Sequence, residues 1–261
     1  MLTLENNNAG VVIDPQAGGR IVSLAIDGLE LLRSREDDPI LWGCYPMAPW
    51  AGRVRNGEFE FASNHYQLPR LRPPHAIHGT VFLREWQIET PQRISTELGP
   101  DWPFRGRAVQ SFSLDENALT LQLEVHADEQ AFPCSIGWHP WFMRRLARGE
   151  PAELVFNARR MYARDEVGIA TRETIVPSAG PWDDCFTGIT QAPTLCWPGV
   201  LKITLHSNTS HWVVFNERAD AICIEPQTAP PDALNIAPLI VTPQQPLRAE
   251  FTIEWRILSS S

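Results

Sequence analysis

Glu225 carries the strongest chemical signal in the sequence: it closes the apolar run AICIE, and Pro226 follows at once. A carboxylate at the end of a buried strand is costly unless it is paired or used. It is therefore either a salt-bridged structural group or a general base. His139 lies in GWHPWF, between Trp138 and Trp141. An imidazole walled by indoles is partly desolvated, which lowers its affinity for a proton. With a reference pKa of about 6.5, it needs a carboxylate close by to act as a protonated acid near neutral pH. The alternative is a histidine packed under an aromatic cluster. Indole faces also suit the apolar faces of sugar rings.

Three further places combine ionisable groups with turn signals. In HAIHG, His75 and His78 are three apart and a glycine follows the second. A metal would need a third and usually a fourth ligand, which this spacing does not supply. His78 then reads as a polar contact lining a cleft or as a turn-stabilising residue. Arg53 and Arg55 precede an Asn56-Gly57 turn that starts an alternating strand, the opening of a hairpin. Two residues apart on an extended chain, both guanidinia project to one side. By spacing alone they are solvated edge-strand arginines; the functional alternative is a planar fork offered to a ligand oxygen. In PWDDCF, Asp183 and Asp184 are adjacent and point in opposite directions if extended.

The elements that must position these groups read as strands. Arg20–Ile26, Ala118–Ala127, Leu201–His206, His211–Asn216, Ala221–Glu225 and Ala249–Leu258 have period-two or fully apolar patterns, rich in β-branched and aromatic residues. Only Phe142–Gly149 has a helical look, and it is short. The 23 prolines and 16 glycines are scattered as turn signals. This predicts an all-β fold, a large antiparallel β-sandwich. With no internal repeat and no linker-like composition break, residues 1–261 are expected to form a single domain.

Composition excludes several classes. Against 31 acidic residues stand 22 basic ones, a net charge of −9, which argues against nucleic acid as a partner. Only Lys202 among the basic residues is a lysine, which leaves little room for Schiff-base or P-loop chemistry. The five cysteines are odd in number and form no CxxC pair, so free thiols in a reducing compartment are expected. The first residues lack a signal-peptide pattern, and no stretch approaches the ~20 apolar residues of a membrane span. A cytoplasmic location with no membrane partner is the expectation. The sequence carries no signal of oligomeric state.

Taken together and in order, WAGRVRNGEFEF, HAIHG, GWHPWF, WDDCF and IEPQTAPPDALN, lying between residues 50 and 235, resemble the aldose 1-epimerase (galactose mutarotase) family. That resemblance implies a β-sandwich with an open cleft for a small-molecule sugar. It also implies interconversion of the α and β anomers of a free aldose, with no cofactor and no metal. By position, it implies His139 as the acid and Glu225 as the base of ring opening. His78 would steady the substrate near the ring oxygen, and Arg53 and Asp183 would hold sugar hydroxyls, with Asp184 standing where the family often has histidine.

A related branch acts on hexose 6-phosphates and commonly carries an arginine soon after His-Gly, as in HGFAR. Here the stretch is HGTVFLR, with Phe82 at that place and Arg84 two positions later. A sugar-binding module that lost turnover is the non-enzymatic alternative. It has no need of the His139 and Glu225 pair. A glycoside hydrolase would call for a second carboxylate across the bond.

Overall fold

Alternating segments become strands because their two faces meet different surroundings. The structure, a computed structural model, describes residues 1–258. Among these, an 11-stranded and an 8-stranded sheet stack face to face, with three two-stranded ribbons beside them. The strands pair antiparallel, and the one α-helix among the described residues is the single turn Ala233–Ile236. The fold is thus an all-β sandwich.

In the smaller sheet the alternation is clean. Leu119, Leu121, Leu123 and Val125 of strand Ala118–Ala127 are buried, as are Phe251, Ile253 and Trp255 of Leu247–Ile257. They meet the even-numbered residues of five consecutive strands in the larger sheet. These strands, in spatial order, are Cys44–Met47, Gly137–Met143, Ala221–Gln227, His211–Phe215 and Asp183–Ile189. Cys44, Trp138, Phe142, Ile222, Ile224, Trp212, Val214 and Phe186 face this common core. Trp138 and Trp212 both reach Phe251 across the layer, with ring centroids 5.9 and 6.3 Å apart.

The odd-numbered residues of the same strands face away from the core, yet they are covered too. Tyr45, Met47, Trp141 and Cys223 form a second apolar cluster with Phe82, which the 3-10 turn Val81–Leu83 lays over them. Tyr45 and Phe82 stack at 5.0 Å. Two covered faces explain why these central strands read as nearly continuous apolar runs, with no alternation. Period two then presents His139, Glu225, Val213, Phe215, Cys185 and Asp183 on one shared face.

Three local expectations differ from what is observed. The helical-looking segment Phe142–Gly149 is the end of strand Gly137–Met143 followed by bends. Its backbone donors are taken laterally: Met143 donates to Leu31 and Arg144 to Asp220, so no helix forms. Glu225 does not end its strand, which continues through Pro226 to Gln227. Pro226 has no N–H to give, but neighbours on both sides and burial on both faces hold the strand in place. Asn56 and Gly57 turn with positive φ of 50° and 66° before strand Glu58–Phe61, whose hairpin with Asn64–Gln67 closes at Ala62 and Ser63.

Candidate active site

The shared outward face of the larger sheet forms the floor of a cleft enclosing about 910 Å³, its open mouth included. Arg53, His78, His139, Asp183 and Glu225 all line it, although they lie on five separate stretches of chain. The register of strand Gly137–Met143 on Ala221–Gln227 places Gly137 opposite Gln227 and Trp141 opposite Cys223. His139 and Glu225 therefore face each other across the strand pair, with Nε2 3.2 Å from Oε1. Their side chains are 7% and 3% exposed.

Burial dominates the electrostatics of this pair. It brings the His139 imidazole down to about 3, with Arg20 and Arg53 pushing the same way. It also pushes the Glu225 carboxyl well above the usual carboxylate range, with Asp183 adding to the rise. A charged pair at 3.2 Å gains about 5 kcal/mol of attraction at an effective dielectric constant of about 20. Desolvation costs several kcal/mol for each ion. Burial accordingly favours a neutral imidazole beside a protonated carboxyl, with one labile proton on the pair.

The wall around His139 is not the one the sequence suggests. Trp138 points the other way, into the core, where its indole donates to Gln110. The imidazole is stacked instead between Tyr45 at 4.9 Å and Trp141 at 5.1 Å. Tyr45 comes from a neighbouring strand, so only lateral pairing reveals it. His78 approaches edge-on, its ring 5.0 Å from that of His139.

The loop at His78 is tightly constrained. His78 has a positive φ of 62°, unusual for a residue with a side chain, and its N–H donates to Gly52. Gly79 follows with φ +82°, and a Cβ there would lie 1.9 Å from the Ala48 carbonyl oxygen. This explains the glycine after the histidine: chain crosses chain at that point. Burial, then the neighbouring His139 and Arg53, hold His78 well below the usual imidazole range. His75 points elsewhere and accepts from the Asn56 N–H through Nδ1.

The opposite wall is charged. Arg53 lies 3.6 Å from Asp183, and Arg164 lies 2.9 Å from Asp184 and 3.9 Å from Asp183. Arg55 does not join Arg53: it enters the Arg55–Gly57 turn and pairs with Asp165 instead. Asp183 and Asp184 both line the cleft despite being adjacent, Asp184 being drawn to Arg164.

Two participants escaped the sequence reading. Gln227 is fully buried and donates from Nε2 to Glu225 Oε2 at 3.2 Å. Its position two residues after Glu225, hence on the same strand face, was the available signal. Arg164 had no local signal, being one arginine among many on an ordinary strand.

His139, Glu225 and Cys223 bring three possible metal-ligand atoms within 4.8 Å of one another. Burial pushes the Cys223 thiol well above its ordinary range. A cation there would have to displace the thiol proton as well as the proton shared by the His139 and Glu225 pair.

Comparison with known proteins places this geometry in context. A family model described as aldose 1-epimerase matches residues 1–254. The Escherichia coli (strain K12) protein YphB, itself described as uncharacterized, is 30% identical over 148 residues, covering 54% of this chain and 51% of YphB. The match thus spans about half the length of that relative. A galactose mutarotase-like protein from Clostridium acetobutylicum superposes with a TM-score of 0.86 at 15% identity, covering 98% of this chain and 95% of that one. Galactose 1-epimerase from Lactobacillus acidophilus NCFM gives 0.80 at 19% identity, covering 98% and 94%. At these identities the two structures establish a shared fold. Among the described residues, no helix is long and apolar enough to cross a membrane.

Proposed function

This chain belongs to the aldose 1-epimerase family, and we propose on that premise that it interconverts the α and β anomers of a free aldose, with His139 as acid and Glu225 as base. The observation that carries the reading is the buried His139–Glu225 contact of 3.2 Å at the floor of an open cleft. Opening a hemiacetal ring requires a proton placed on the ring oxygen and one removed from the anomeric hydroxyl. These oxygens share one carbon, so an acid and a base side by side can serve both.

The working form has the proton on His139 and the carboxylate on Glu225. Arg53 and the Gln227 amide both favour that carboxylate. A bound sugar would add its hydroxyls to the pair in place of water. His139 then gives its proton to the ring oxygen as the ring carbon–oxygen bond breaks, and Glu225 takes the proton from the anomeric hydroxyl. The products are an open-chain aldehyde, a neutral imidazole and a protonated carboxyl. Burial already favours that neutral form, so ring opening discharges an unfavourable buried ion pair. Rotation about the first carbon–carbon bond presents the other face of the aldehyde, and closure returns both protons.

Unpartnered polar atoms support a polyhydroxylated ligand. His78 Nδ1, His139 Nδ1 and Gln227 Oε1 are buried without hydrogen-bond partners, and all three residues line this cleft. In this reading His78 steadies the sugar near its ring oxygen, while Arg53 and Asp183 hold hydroxyls. His139→Ala and Glu225→Ala are each expected to lower kcat by roughly 10²–10⁴ without unfolding the protein. Polarimetry of each variant, with circular dichroism as the folding control, tests the roles; a variant at wild-type rate removes that residue from the mechanism.

A further inference from the structure

The wall opposite the catalytic pair holds two guanidinia and two carboxylates in one linked group, Arg53–Asp183–Arg164–Asp184. Arg164 is 37% exposed and Asp184 10% exposed, so the arginine reaches the cleft while its carboxylate partner sits behind it. Arg164 also donates from Nη1 to the Asp183 carbonyl oxygen at 3.0 Å, which fixes the guanidinium against the strand. Each positive charge on this wall is therefore met by a negative one, and the wall sums to zero.

We propose that Asp184 is a specificity-determining residue: by neutralising Arg164 it keeps the cleft selective for uncharged sugars and against their phosphate esters. A phosphate ester entering here would meet two carboxylates. To use Arg164 it would have to displace a 2.9 Å ion pair from a half-buried site. Uncharged hydroxyls face no such conflict, because they accept from the guanidinia and donate to Asp183 without breaking the Arg164–Asp184 pair. Removal of the Asp184 charge alone leaves Arg164 in place with one ion-pair partner fewer and turns the wall into an anion site. The inference rests on the aldose epimerase reading of the same cleft.

Binding measured by calorimetry separates the two. Glucose and glucose 6-phosphate are titrated into wild type, Asp184→Asn, and the double variant Asp184→Asn with Arg164→Gln. Wild type is expected to bind glucose 6-phosphate at least roughly tenfold more weakly than glucose. Asp184→Asn, close to isosteric, is expected to tighten the phosphate ester roughly tenfold or more with little change for glucose, and the double variant should lose that gain. Asp184→Ser repeats the test with a smaller side chain should the amide disturb folding. Unchanged discrimination in the single variants, a gain that survives in the double variant, or a wild-type preference for the phosphate ester would each overturn the proposal. Wild type that binds glucose yet fails to anomerise it would instead count against the epimerase reading alone.

Discussion

At the level of single residues, the proton on the proposed catalytic pair is governed by few contacts. Gln227 Nε2 donates to Glu225 Oε2 at 3.2 Å and, among the described residues, is the one side-chain hydrogen bond that favours the carboxylate. Burial pulls the other way, raising Glu225 and lowering His139. In the proposed mechanism the pair works while it holds one proton between its two members, so its titration belongs to the pair. Gln227→Leu removes the donor, and the pair then holds its last proton more tightly. The alkaline limb of the kcat/KM profile should move to higher pH, and the plateau should fall several-fold because the carboxylate form is rarer. An alkaline limb that stays in place, or moves down, would show that Gln227 does not act through Glu225. Glu225 was legible in the sequence because a carboxylate in an apolar run is costly, and His139 because of its aromatic setting. Gln227 was within reach through period two, but a neutral amide carries no such penalty to draw attention.

At the level of elements, two strands containing prolines hold the pair in register. Pro140 and Pro226 lack backbone donors, yet both lie inside strands. Gly137 lets the two strands close together: a Cβ on it would lie 2.3 Å from the Pro226 carbonyl oxygen. Gly137→Ala should force the strands apart and cost about 1–3 kcal/mol of stability, with loss of kcat from the displaced His139. Urea unfolding measures the first effect and polarimetry the second. An unchanged midpoint would mean that the contact relaxes freely. The strands themselves were largely legible, since Ala118–Ala127 and Arg20–Ile26 alternate or run apolar as sheet packing demands. Proline misled the reading at Glu225, where lateral pairing outweighs one missing donor. Trp141 was legible beside His139 in GWHPWF, whereas Tyr45 on the other side of the ring was hidden for a related reason: which strand lies beside which is not written in either strand's own pattern.

At the level of the whole molecule, the sandwich converts scattered motifs into one surface. Arg53, His78, His139, Asp183 and Glu225 meet because five consecutive strands and the loops above them share the outward side of the larger sheet. The all-β class followed from strand patterns and turn residues, but the location of the cleft did not, because it depends on the order of strands in space. The net charge of −9 agrees with the uncharged substrate proposed above. The most direct measurement is the approach to anomeric equilibrium of freshly dissolved α-glucose and α-galactose, followed by polarimetry with wild-type protein. The expected result is a saturable acceleration over buffer, proportional to protein concentration, with at least one free aldose. No acceleration with any free aldose, from folded protein that binds the sugar, would contradict it.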